Sequence, residues 1–218
     1  MGVGRSMDNC TLNFFDKIER MDREEYIKCF ITYLVAPVLS GLKPSSTITF
    51  TNNKDYLYDD WNEYGKEFIE SLGLKFQTLK NLNNGEIILI YNEIVLEKHL
   101  LMEKNKEFLC ELGYGKNITL DNCLKCLQNK FKEICFPHES GIFLGIPLED
   151  VIAFMEKEKN CVFCGYWKVY YNYEKAINTF KLYDESKEIV ARAIYEEKDI
   201  EQIANSIKNI YIEKNYSA

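Results

Sequence analysis

Histidine is scarce in this chain. Of 218 residues only His99 and His138 carry an imidazole, so chemistry that gathers several of them at one site has little to draw on. No HExxH, GxSxG, dinucleotide glycine pattern or Walker sequence occurs, which sets aside the motif-based routes to zinc proteases, serine hydrolases and nucleotide folds. Proline is sparse, with four residues, and no proline- or glycine-rich linker divides the chain. Excess positive charge is missing too. Thirty-four acidic against 27 basic side chains leave a formal charge of -7, the wrong sign for a nucleic-acid coat. The longest uncharged run, Cys29 to Leu42, stops well short of the roughly 20 residues that a membrane-spanning helix needs. The opening "MGVGRSMDNC" has no apolar stretch behind Arg5, so no secretory signal is expected. Gly2 and Ser6 match the loose myristoylation pattern, and Met7 offers an alternative natural start. The expected compartment is the cytoplasm.

Cysteine, by contrast, is plentiful, with eight residues. In a reducing compartment an even count does not mean disulfides, which leaves buried thiols, metal ligands and redox pairs. Cys123-Leu-Lys-Cys126 and Cys161-Val-Phe-Cys164 have metal-ligand spacing. Together they would supply four thiolates to zinc or an iron–sulfur cluster, with Cys110 and Cys135 as substitute ligands. Cys123 also falls on an apolar stripe with Leu120, Leu124, Leu127 and Phe131, where a thiol behaves as a small hydrophobe.

Apolar periodicity places helices over Phe14–Met21 and Tyr26–Leu34, with Gly41 and Pro44 as stop signals. "STITF" reads as a short strand, and residues 56–72 as helix. "LKFQTLKN" and "EIILIYN" read as a hairpin turning at Asn84-Gly85, its second strand apolar enough to be central. Residues 92–135 are helical in pieces broken near Gly113 and Gly115. "GYWKVYYN" reads as a core strand with Trp167, Val169 and Tyr171 on one face. From Tyr173 the chain is helical, ending in a segment marked by Ile200, Ile203, Ile207 and Ile210. These elements predict an α/β (α+β-like) fold, a small mixed sheet covered by helices, in one domain over residues 11–218 behind a flexible N-terminus over 1–10.

The stretch "HESGIFLGIPLEDVIAF" has the pattern of a helix-turn-helix, a helical hairpin at about 138–157. Gly141 stands where two helices would press together, Gly145 at the turn, and Pro147 at the first position of the second helix. Its chemistry is unsuited to DNA. The positions that would meet base edges carry Glu149 and Asp150, good for a helix dipole and poor in a groove lined by phosphates. A structural hairpin is the better reading, and a nucleic-acid partner is not expected.

Three groups of side chains remain as candidate sites. In "GLKPSS", Lys43, Ser45 and Ser46 would hold an anion from the side; the loop leaves a helix and enters a strand, the wrong direction for a phosphate loop. In "CFPHE", Cys135, His138 and Glu139 offer a nucleophile, a base and a carboxylate, although Pro137 lies between the first two. Trp167, Lys168 and Tyr170 would line a groove for a planar anion through charge and stacking.

"APVLSGLKPSS", "FPHESGIFLGIPLEDV" and "GYWKVYYNYEKA", in this order and spacing, resemble an uncharacterised bacterial family, domain-of-unknown-function family 3793. The resemblance runs from the first long helix to about Tyr183. It implies a cytosolic protein of clostridia and related anaerobes, and it implies no activity. Lys43, Pro44, His138, Glu139, Gly145, Pro147, Gly165, Trp167 and Lys168 match its motifs. Val35 stands where relatives often carry cysteine, and Ser140 and Ile146 replace commoner apolar and aromatic residues. The Cys123/Cys126 pair lies outside the family pattern.

The expected function is an accessory or small-ligand-binding protein of anaerobic metabolism without an evident catalytic centre, working with a small molecule or a protein partner. The alternatives are a thiol- or metal-dependent enzyme built on Cys135, His138 and Glu139 or the cysteine pairs, and a DNA-binding regulator.

Overall fold

The computed structural model describes the backbone of residues 9–52, 56–157 and 160–216, and side chains from 13 to 208 within those spans. The first eight residues, with the myristoylation pattern, lie outside them. Helix α1 (Asn9–Ile18) leads into α2 (Arg23–Leu39), capped by Asp22, whose side chain accepts from the Glu25 N–H. The C-terminal half of α2 is buried from Val35 to Leu39, which accounts for the uncharged run. Among the described residues no helix is long and apolar enough to cross a membrane.

Strand β1 (Ser45–Thr51) follows, then α3 (Leu57–Asp60), a π-helical turn (Trp61–Gly65) and α4 (Lys66–Ser71). Gly65 is required because a Cβ there would lie 2.6 Å from the Trp61 ring, which stacks on Phe50 with centroids 4.7 Å apart. Strands β2 (Lys75–Leu82) and β3 (Gly85–Tyr91) form the expected hairpin. Gly85 serves packing more than turning: a Cβ there would lie 2.0 Å from the Phe50 carbonyl oxygen.

The sheet has the order β1-β3-β2, and every pair is antiparallel, with a bulge in β2 between Thr78 and Lys80. Central β3 separates two cores by its period of two. Ile88 and Ile90 face one, built with α1, α2, β1 and residues from the last two helices. Leu89 and Tyr91 face the other, built with α5 (Glu93–Leu100), α6 (Glu103–Leu109), α7 (Leu120–Glu133) and the helical hairpin. A second π-helical turn, Cys110–Tyr114, follows α6, and Gly113 and Gly115 both take positive φ where the sequence signals a break.

The helical hairpin forms as α8 (Ser140–Phe143) and α9 (Leu148–Glu156). Gly141 does sit where the helices press, 2.9 Å from the Val151 side chain by its missing Cβ, and Gly145 turns the chain at φ 78. Pro147 stands one position earlier than expected, as the N-cap.

"GYWKVYYN" departs from expectation. Only β5 (Lys168–Val169) is strand, paired with β4 (Phe163–Cys164) in a two-stranded ladder apart from the main sheet. The N–H groups of Tyr170 and Tyr171 are taken by the Asp150 carboxylate. Asn172 then turns left-handed at φ 47 and starts α10 (Tyr173–Tyr195), which is followed by α11 (Ile200–Tyr216). Gly165 is fixed by α10: a Cβ there would lie 2.3 Å from the Phe180 ring.

Candidate functional site

Asp150 organises the region. It is 2% exposed, and both its oxygens are used. Oδ2 accepts from Trp167 Nε1 at 2.8 Å, and Oδ1 from the Tyr170 and Tyr171 N–H groups at 2.9 and 3.0 Å. A buried carboxylate is tolerable when donors satisfy it in this way. The residue that a DNA-reading helix would show to a groove is therefore turned inward, and its neighbour Glu149 pairs with Lys104 at 3.6 Å.

The same contact joins two of the motifs, and the third docks on the hairpin turn. Ser45 Oγ donates to the Phe143 carbonyl at 2.6 Å, and a Cβ on Gly145 would fall 2.6 Å from Pro44 Cδ. Three segments far apart in sequence thus meet around α8 and α9.

Between the helical hairpin and the β4–β5 hairpin lies a groove of about 410 Å³. Leu144, Ile146 and Val151 give it apolar walls, and Phe136, Phe154, Tyr166 and Trp167 give it aromatic ones. His138 and Lys168, both exposed, and the buried Asp150 also line it. The His138 ring stands edge-on to Phe154 at 5.0 Å, and Lys168 Nζ lies 5.3 Å from the centre of the same ring. Ser140, 2% exposed, also lines the groove, and its hydroxyl has no hydrogen-bond partner among the described residues.

The remaining candidates lie outside the lining of this groove. Tyr170 contributes its backbone N–H to Asp150 and is not part of the lining. Lys43 Nζ donates to Ser46 Oγ at 3.2 Å; Ser45 is buried and committed to Phe143. Burial, and secondarily the charge of Lys187, pushes the Lys43 amine down to about 8. Glu139 is buried and bonded to Lys130 Nζ at 2.9 Å, which in turn donates to the Leu112 carbonyl and lies over the Tyr114 ring. The π-helical turn supplies both of those last groups. Glu139 thus secures α8 to α7. Cys135 and His138 are both exposed and share no hydrogen bond among the described residues.

The cysteines are unbridged at all seven described positions. Cys123 is buried in the second core, and Cys126 Sγ approaches the Gly113 carbonyl at 3.9 Å. Cys161 lies two residues ahead of β4, and Cys164 is the second residue of that strand, opposite Lys168. Among the described residues no three Cys, His, Asp or Glu side chains gather as a metal ion would require.

Sequence reasoning names His138, Trp167 and Lys168 in the groove but misses Phe136, Ser140, Phe154 and the organising Asp150. Val151 and Phe154 both carry an inward signal by helical spacing, yet Phe154 turns to the groove. One available signal was Asp150 beside an apolar stripe, with an indole donor in the next motif.

No curated protein and no solved structure matches this chain. A family model described as "Protein of unknown function (DUF3793)" matches residues 31–204, an interval that holds the sheet, both hairpins and every residue of the groove. The chain belongs to this family, DUF3793.

Proposed function

We propose that the chain is a cytosolic accessory protein of anaerobic metabolism that binds a small planar organic anion in the groove between its two hairpins. The groove itself carries this reading: a concave, largely apolar site with few polar groups is the usual form of a small-molecule pocket. Trp167, Tyr166 and Phe154 offer faces for stacking, and Lys168 offers charge at an exposed position. Unbridged thiols, exposed Cys135 and Cys164 among them, support a reducing compartment.

The alternatives draw less support. An enzyme built on Cys135, His138 and Glu139 would need Glu139 free, and it is held by Lys130. A DNA reader would present the first turn of α9 to a groove, and there Asp150 is buried in bonds to Trp167, Tyr170 and Tyr171 while Glu149 is paired with Lys104.

Fluorescence titration with 2-naphthoate tests the reading. In a Trp61→Phe background Trp167 is the reporter. A saturable change that weakens about tenfold in Lys168→Ala, the size of one lost charge-assisted contact, supports it. No saturable change, or one indifferent to Lys168→Ala, contradicts it.

A further inference from the structure

One polar group in the wall of the groove has nothing to bond. Ser140 is 2% exposed and lines the groove, and its hydroxyl has no hydrogen-bond partner among the described residues. Its backbone groups are both committed. The N–H donates to the Pro137 carbonyl at 3.1 Å, and the carbonyl accepts from the Leu144 N–H at 3.1 Å. Only the hydroxyl is left over, and a buried hydroxyl without a partner is destabilising. Alanine would occupy the same place without that penalty.

The neighbouring polar atoms are engaged elsewhere. Trp167 Nε1 donates to Asp150 at 2.8 Å, and the Tyr166 hydroxyl donates to Asp184 Oδ1 at 2.7 Å. Asp150 is filled by that indole and by the N–H groups of Tyr170 and Tyr171. Around Ser140 the groove offers Leu144, Ile146 and Val151, which have no polar side-chain atoms. The groove therefore has two polar points in an apolar body: the Lys168 ammonium at an exposed position and the Ser140 hydroxyl at a buried one. A ligand with a wholly apolar inner end would leave that hydroxyl stranded, and one with a polar atom there would satisfy it.

Building on the function proposed for the groove, we propose that its ligand is a hydroxyaryl carboxylate, with the carboxylate at Lys168 and a neutral hydroxyl at the inner end bonded to Ser140 Oγ. Ser140 is then the residue that sets specificity. A hydroxyl suits the position because it can both donate to and accept from another hydroxyl. A second charge would lose its hydration against Leu144, Ile146 and Val151.

Isothermal titration calorimetry on the full chain at pH 7 tests this with 2-naphthoate and 6-hydroxy-2-naphthoate, whose hydroxyl lies across the rings from the carboxylate. The hydroxylated probe should bind about tenfold more tightly. Ser140→Ala should abolish that preference and leave 2-naphthoate bound at least as tightly as before. It should not lower the thermal midpoint, since it breaks no bond among the described residues. Lys168→Ala should weaken both probes and keep their ratio. Equal affinities in the parent chain, or a preference that survives Ser140→Ala, overturn the assignment of Ser140 while the groove keeps its planar anion. No saturable binding of either probe overturns both.

Discussion

Asp150 and Trp167 are joined by a hydrogen bond of 2.8 Å, and both residues line the groove between the helical hairpin and the β4–β5 hairpin. The bond fixes the β4–β5 hairpin to α9, so it sets the width of the groove as well as its stability. Asp150→Asn turns an amide donor toward groups that donate. It should cost about 2–4 kcal/mol, against about 1–3 kcal/mol for Trp167→Phe, which removes one bond of three. Urea unfolding of both variants gives the comparison. Equal and negligible effects would show that the pair does not hold the hairpins together.

The contact between the hairpin turn and Pro44 gives a second expectation. Gly145→Ala combines a positive φ with a Cβ 2.6 Å from Pro44 Cδ. Gly113 also has positive φ, near the left-handed region at φ 88 and ψ 18, but a Cβ there meets nothing within 4 Å. Gly113→Ala should therefore cost only the backbone strain, about 1 kcal/mol, and Gly145→Ala clearly more, about 3 kcal/mol. Thermal or denaturant midpoints rank the two.

Thiol chemistry should sort the cysteines by burial. Exposed Cys135 and Cys164 should react first with a disulfide reagent at pH 8. Cys29 and Cys123, both pushed up to about 11 by burial first of all, should react only on unfolding. Mass spectrometry after a timed pulse distinguishes them. Early labelling of Cys123 would contradict its place in the core.

Lys43 predicts a pH dependence of defined sign. Its amine is lowered to about 8 in the fold, while an unfolded lysine titrates near about 10.4. Between those values the unfolded chain binds more protons, so the Lys43 contribution to stability rises with pH from about 8 to about 10.4 and is absent below. Lys43→Met should remove that rise. Denaturation curves at pH 7.5 and 9.5 on both proteins measure the difference, and an identical pH response would contradict it.

Much of the fold was legible in the sequence because its periods are clean. The alternation Ile88, Leu89, Ile90, Tyr91 divides between two cores as a central strand should. Gly141 and Gly145 mark the helical hairpin by their spacing, and the structure gives each its contact. The π-helical turns at Trp61–Gly65 and Cys110–Tyr114 left no such trace, since each falls between helical pieces too short to establish an apolar phase against which one extra residue would show.

"GYWKVYYN" is strand only over Lys168–Val169. Its alternation is genuine, but strand length depends on a ladder partner, and a carboxylate 20 residues away from Tyr170 takes the N–H group there instead. The site was legible in the same partial way. His138, Trp167 and Lys168 stand out by residue type. Phe136 and Phe154 become groove walls only through the way two hairpins sit against each other, which no local spacing expresses.

The central claim is that the groove between the hairpins takes a planar organic anion. Amide NMR shifts during titration with 2-naphthoate test it most directly. The account predicts saturable shifts confined to Phe136–Phe154 and Tyr166–Lys168, and their loss in a variant that fills the groove, Ser140→Phe, if that variant keeps its other amide positions. Shifts that never saturate, or that gather elsewhere on the molecule, would contradict it.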